Sequence, residues 1–411
     1  MHKLPISTNS VWGFSSPGRI VYGRGASDSF ADFAKQQRWQ RGLLVTDHTI
    51  RRLGHPAQIQ ASLAELGVQV EIYDTVEPEP AIETVECAVN QWRGRADGAM
   101  APDFVIGLGG GSCLDVAKMA AVLLTYGGNC RDYFGFDRIP GALCTLVAIP
   151  STAGTGSEVS HSAVLTDRQA GIKVSSLSRF LRPQLAIIDP RLTDTCPPRV
   201  TADSGIDALV HAIEAYSARD HSQMLGVSAE ARAYEGAHPL GKLLALEAIR
   251  LIDQNLDTAV HHGEVHAARD AMALAAMYAG MAFSNCGVAL VHGLEYPLGA
   301  LVHCSHGAGN GLLLPYVMRF NSIVASNAFA EIADAIGAKN GDVADRANWL
   351  IERVIDLRQR IGIPNCLRDL GTPLAALPEL AEKTSKIERL MTLNPRRATI
   401  SDLVQILHDA Y

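Results

Sequence analysis

Through the first half of the chain, short β-branched and aliphatic runs alternate with stretches of helical period. Arg19–Tyr22 (R-I-V-Y), Gly42–Thr46 (G-L-L-V-T), Val68–Tyr73, Phe104–Gly107, Leu146–Ile149 and Leu185–Ile188 read as strands. Pro56–Leu66 and Leu114–Leu124 read as helices between them. Strand, helix, strand in that order predicts a mostly parallel sheet with helices over its faces, which places ligands at the carboxyl ends of strands. After about residue 200 the strand-like runs stop. Ile206–Ala218, Gly241–Leu256, Val265–Phe283, Ala325–Ile336, Ala344–Ile361 and Ser401–Ala410 are helical patterns. The expectation is therefore an α/β domain over residues 1–197 followed by an all-α domain over 198–411. Cys196-Pro197-Pro198 marks the junction, because consecutive prolines end regular structure. Asp220–Pro239, polar and glycine-containing, reads as a surface excursion.

Composition narrows the function classes. With 411 residues, 47% of them apolar, each domain can bury its own core, so a metal here is expected to be functional and not a structural staple. Lys and Arg total 36 against 43 Asp and Glu, a net charge of −7 with no basic run, which excludes nucleic acid and anionic membrane as expected partners. The eight cysteines never form a C-x-x-C pair and read as reduced thiols of a cytoplasmic protein. Met1–Ser10 lacks a charged stretch followed by an apolar one, and no apolar run approaches about 18 residues, so neither secretion nor a membrane span is expected.

Phe104–Lys118 reads F-V-I-G-L-G-G-G-S-C-L-D-V-A-K: a strand, a glycine turn and a helix start. Such a turn removes side chains where backbone must approach a phosphate, and the helix N-terminus supplies N–H groups. Gly109, Gly110, Gly111 and Ser112 are the expected pyrophosphate contacts; a tight turn without a ligand is the alternative. A second glycine cluster, Pro150–Glu158 (P-S-T-A-G-T-G-S-E), also follows a strand. Asp47, at the end of G-L-L-V-T-D, can accept hydrogen bonds from a ribose diol and would repel a 2′-phosphate, which favours NAD over NADP. The same residue could equally cap a helix.

Asp207 and His211 lie four apart in a helical stretch and so share a face. An ordinary hydrogen bond between them is the bland reading. His292 sits in an apolar helical segment and His306 just before glycines, where an imidazole needs a partner. One carboxylate and three imidazoles suit Fe²⁺ or Zn²⁺ and not Mg²⁺ or Ca²⁺, and leave a site of net +1 that would admit anionic substrates. His303 is the second choice as ligand, whereas His262 and His266 read as solvated.

Taken together, the motifs resemble the iron-dependent alcohol dehydrogenases (group III), whose fold is shared with dehydroquinate synthase. They are F-x-x-P-G-R-I-V-Y-G-R-G at Phe14–Gly25, V-x-P-x-P at Val76–Pro80, G-G-G-S-x-x-D-x-A-K at Gly109–Lys118, and T-A-G-T-G-S-E at Thr152–Glu158. L-A-I-I-D-P at Leu185–Pro190, D-A-L-V-H-A-I-E-A-Y at Asp207–Tyr216, H-G-x-x-N-x-x-L-L-P at His306–Pro315 and N-P-R at Asn394–Arg396 continue the match. The resemblance implies metal ligands at Asp207, His211, His292 and His306. It implies dinucleotide contacts at Asp47, Gly109, Gly110, Gly111, Ser112, Asp115, Thr152, Thr155 and Lys173. It further implies reversible hydride transfer between NAD and a small alcohol, aldehyde or ketone, with a hydroxyacid–oxoacid transhydrogenase holding its NAD tightly, or a metal-dependent lyase, as alternatives. A non-catalytic NAD sensor would not need all four ligand positions. Two positions depart from the family pattern: Tyr296, preceded by Glu295, stands where many members carry a histidine credited with proton relay, and Glu79 replaces a frequent Asn. The Tyr296 phenol is a candidate proton donor; packing beside His292 is the alternative. An edge strand near the N-terminus is compatible with a homodimer.

Overall fold

A computed structural model describes residues 11–95, 101–224 and 233–411. The first ten residues and 225–232, the middle of the excursion expected over 220–239, lie outside the described residues. The described residues divide into two compact units, Ser16–Thr195 and Cys196–Tyr411, the latter joined by residues 11–15. Ser15 N donates to Asn285 Oδ1 at 2.7 Å and the Trp12 ring stacks on His238 at 4.4 Å, which ties the described start of the chain to the helical unit.

In the sheet unit, β1 (Arg19–Tyr22), β2 (Arg41–Val45), β3 (Gln69–Tyr73), β4 (Phe104–Gly109), β6 (Thr145–Pro150) and β9 (Leu185–Ile188) form a parallel sheet in the order β1-β9-β6-β4-β2-β3. Period-two alternation feeds two cores. Phe104, Ile106 and Leu108 point into one with Phe30, Trp39 and Leu63, while Val105, Leu43 and Val45 point into the other with Val116 and Ala120. The helices are α1 (Phe30–Gln37), α2 (His48–Arg52), α3 (His55–Ala64), α4 (Ile82–Arg95) and α5 (Gly111–Tyr126). A smaller sheet of β5 (Gly135–Phe136), β7 (Ser162–Asp167) and β8 (Ile172–Leu177), in the order β5-β8-β7, was not expected. Its strands S-A-V-L-T-D and I-K-V-S-S-L are half polar, so no apolar run announces them.

The helical unit comprises α6 (Pro198–Ser217), α7 (Pro239–His261), α8 (His266–Cys286), α9 (Leu290–Val302), α10 (His306–Ala335), α11 (Val343–Arg360), α12 (Leu377–Ser385), α13 (Glu388–Leu393) and α14 (Ile400–Asp409). The pattern beginning at Ala325 is only the last third of α10. Its first turns, H-G-A-G-N-G, are poor in helix formers and are held by burial. Among the described residues no single helix is long and apolar enough to cross a membrane.

Candidate metal and dinucleotide sites

Three loops of the sheet unit lie together because three strands are neighbours. β4 runs beside β2, with Gly107 opposite Val45, and beside β6, with Gly109 opposite Pro150. Asp47, the 109–112 turn and the 151–158 turn therefore all emerge at adjacent carboxyl ends. Gly109 has φ +149°, and a Cβ there would lie 2.5 Å from Cys113 Sγ, so only glycine allows this entry into α5. A Cβ on Gly110 would stand 3.6 Å from Thr152, and one on Gly111 2.9 Å from Thr155, which places both threonines against the turn.

Asp47 does cap a helix: its Oδ1 accepts from Thr49 N at 2.7 Å and Ile50 N at 2.9 Å. Its Oδ2 points toward the glycine turn, 3.5 Å from Cys113 Sγ. The capping and cofactor readings thus use different oxygens. Asp115 is committed to the protein, with Oδ1 accepting from Ser157 Oγ at 2.7 Å and Oδ2 from Val164 N at 3.0 Å. It ties α5 to the second glycine turn. Lys118, one turn further on, was not foreseen. Its Nζ donates to Ser157 Oγ at 2.9 Å, Ser160 Oγ at 3.1 Å and Ser162 O at 2.7 Å, and burial lowers its pKa to about 8. Burial likewise raises the Glu158 carboxyl to about 7. The D-x-x-K spacing of Asp115 and Lys118 was the available signal. Lys173 pairs with Glu79 at 2.8 Å, so the unusual acid in V-x-P-E-P meets a cation.

In the helical unit, α6 carries Asp207 and His211 one turn apart, with Asp207 Oδ2 3.9 Å from His211 Nε2. His292 of α9 and His306 in the first turn of α10 bring their Nε2 atoms to 4.0 and 3.9 Å from Asp207 Oδ1. Asp207, His292 and His306 offer ligand atoms all within 4.8 Å of one another. His211 flanks this group, its ring stacked on Phe283 at 4.3 Å and on His292 at 4.8 Å. Gly307 lets the start of α10 touch α6: a Cβ there would sit 1.8 Å from the Asp203 carbonyl oxygen. His303 instead ends α9 at φ +52°, and His262 is exposed beside Glu264.

Sequence reasoning missed two residues of this cluster. Glu214, buried three residues after His211, accepts from Val291 N at 2.7 Å and from His292 Nδ1 at 2.6 Å. A carboxylate only accepts, so Nδ1 carries the proton and Nε2 keeps its lone pair. Asn310, buried one turn after His306, donates from Nδ2 to Asp207 Oδ1 at 2.8 Å, His306 Nε2 at 3.1 Å and His292 Nε2 at 3.3 Å. An amide nitrogen has two protons for these three acceptors. Lone pairs are in surplus there, which is the condition a bound cation relieves. Burial alone would raise the Asp207 carboxyl, but the three imidazoles, His211 foremost, and the Asn310 amide hold it below its usual value. The Tyr296 ring lies 6.5 Å from that of His292 and 6.1 Å from that of His306.

Comparison with known proteins gives a consistent picture. The family described as iron-containing alcohol dehydrogenase matches residues 17–190, and the C-terminal part of the Fe-containing alcohol dehydrogenase family matches 201–411. The chain is similar to long-chain-alcohol dehydrogenase 1 of Geobacillus thermodenitrificans, 37% identical over 96% of this chain and 97% of that one. Among solved structures it is similar to a 1,3-propanediol oxidoreductase, with a TM-score of 0.90 and 33% identity over 98% of this chain and 100% of that one. It is also similar to sulfoacetaldehyde reductase from Bifidobacterium kashiwanohense in complex with NAD⁺, with a TM-score of 0.84 and 27% identity over 98% and 99% of the two chains.

Proposed function

The chain belongs to the iron-containing alcohol dehydrogenase family and is an oxidoreductase acting on CH–OH donors, and we propose that it interconverts a small alcohol and its aldehyde or ketone with NAD and Fe²⁺ or Zn²⁺. The observation that carries the metal assignment is the convergence of Asp207, His292 and His306 on one point, with His211 alongside. A nitrogen-rich set of this kind suits a transition cation. When bound, the cation supplies Lewis acidity toward the substrate oxygen and the dinucleotide supplies the hydride acceptor.

The chain's own residues do the rest. Glu214 fixes the His292 tautomer and Asn310 orients the Asp207 carboxylate. The 109–112 turn at the start of α5 is assigned to the pyrophosphate, Thr152 and Thr155 to its flank, Asp47 Oδ2 to the ribose diol, and Lys173 to the cofactor with Glu79 as its counter-ion. Asp47 is the reason for NAD over NADP. Tyr296, beside both His292 and His306, is assigned proton transfer. The substrate is a small molecule, and eight cysteines with no disulfide among them support a reducing, cytoplasmic setting.

The test is a panel of small alcohols and aldehydes with NAD or NADH, run on metal-free protein and after restoring Fe²⁺ or Zn²⁺. The metal-loaded protein is expected to oxidise NADH with at least one aldehyde, and His292→Ala to lose both metal and turnover. Exchange between hydroxy and oxo acids on retained NAD, without net NADH oxidation, would favour the transhydrogenase. Metal-dependent product formation with no net redox change would favour the lyase.

A further inference from the structure

We infer that Glu295, a residue outside the ligand set, is a positioning residue for metal binding: its carboxylate fixes the His306 ring so that Nε2 faces Asp207 and His292. The inference rests on the metal reading of this cluster. Spacing on α9 puts His292, Glu295 and Tyr296 on one face, at i, i+3 and i+4. Glu295 is fully buried, and its Oε2 accepts from His306 Nδ1 at 2.5 Å.

His306 needs such a partner more than its neighbours do. The side chains of Asp207, His211 and His292 are 3%, 6% and 2% exposed, so packing alone restricts them, whereas that of His306 is 34% exposed. Packing restrains its ring least among the three histidines, and the hydrogen bond from Nδ1 to Glu295 sets its tautomer and, with the Asn310 contact at Nε2, its orientation. The fold makes room for this acid. Gly309, three residues after His306 on α10, faces it: a Cβ there would lie 3.0 Å from Glu295 Cγ and 3.5 Å from Oε1. A Cβ at 309 would push the Glu295 side chain by a few tenths of an ångström and so strain its bond to the ring.

Glu295 therefore does for His306 what Glu214 does for His292. The two histidines from α9 and α10 each stand in front of a buried carboxylate that holds Nδ1 and leaves Nε2 facing Asp207.

The experiment measures Zn²⁺ affinity by competition with a chromophoric chelator, and the visible absorption of the Co²⁺-loaded protein, for wild type, Glu295→Ala, Glu295→Gln and Gly309→Ala. Glu295→Ala is expected to weaken Zn²⁺ binding by about 10–100-fold and to shift the Co²⁺ bands. Glu295→Gln, whose amide oxygen can still accept from Nδ1, should recover most of both. Gly309→Ala should weaken Zn²⁺ binding in the same direction, by pressing on the Glu295 side chain while leaving residue 295 itself unchanged. Melting of the metal-free variants separates a general loss of structure from a loss of positioning, and Glu295→Gln serves if the Ala variant does not fold. Zn²⁺ affinities within about threefold of wild type in all three variants, with an unchanged Co²⁺ spectrum, overturn the inference while leaving the metal site standing. Failure of the wild type to take up one Zn²⁺ overturns the metal reading itself.

Discussion

Glu214→Ala removes the acceptor for two donors, Val291 N–H at 2.7 Å and His292 Nδ1–H at 2.6 Å. Both donors are buried, at 1% and 2% exposure, so water does not replace the lost carboxylate. Each stranded donor costs about 1–3 kcal/mol, and the two together roughly 2–6 kcal/mol. In a unit of this size about 1 kcal/mol moves the melting temperature by roughly 2–4 °C, so even the lower figure corresponds to about 4 °C. The measurement is calorimetric melting of metal-free protein in excess chelator, which keeps metal linkage out of the comparison. Glu214→Gln should fall between, because its amide oxygen can serve one donor while its NH₂ group opposes the other. A metal-free Glu214→Ala protein melting within about 1 °C of wild type would falsify the buried-acceptor argument. The same variant reloaded with Zn²⁺ should also bind it about 10–100-fold more weakly, since the His292 ring has lost the group that sets its tautomer.

Three further outcomes follow from the geometry. Gly109→Ala forces a side chain into a φ of +149° and against Cys113 Sγ, at a cost of about 1–3 kcal/mol; NADH titration by fluorescence should show affinity reduced tenfold or more, and unchanged affinity would remove the turn from the cofactor site. Glu158→Gln tests the buried acid beside Lys118. Burial raises the folded carboxyl from 4.5 to about 7, so the folded chain binds more protons over that window and wild-type stability falls as pH rises through it. The variant lacks this proton, so its unfolding free energy from urea titration should gain on wild type between pH 5 and 7, by at most about 1.4 kcal/mol per pH unit; a constant difference would contradict the assignment. Tyr296→Phe keeps the ring beside His292 and His306 and removes only the phenol; kcat should drop by about 10²–10⁴-fold with metal stoichiometry intact, and a change of twofold or less would leave the ring a packing role.

The sequence alone determined whatever depends on local spacing. Apolar runs such as F-V-I-G and G-L-L-V-T placed the central strands, the glycines marked the turn into α5, and four-residue spacing put Asp207 and His211 on one face. The family resemblance also flagged Tyr296 and Glu79 as departures without saying what they touch. Tertiary structure decided the rest, because those contacts join residues far apart in the chain. The Glu214–His292 bond spans 78 positions and the Asn310–Asp207 bond 103, and nothing in either segment alone specifies its partner. The half-polar β7 and β8 became strands through tertiary pairing, with each other and, for β8, with β5. Asp47 could be read from sequence as either a cap or a cofactor ligand, and the fold gave each of its two oxygens a separate environment. Most consequentially, packing α9 and α10 against α6 set a buried acid behind each of His292 and His306, Glu214 from α6 and Glu295 from α9. The orientation of a buried imidazole belongs to everything packed around it, and that is known only once the helices are in place.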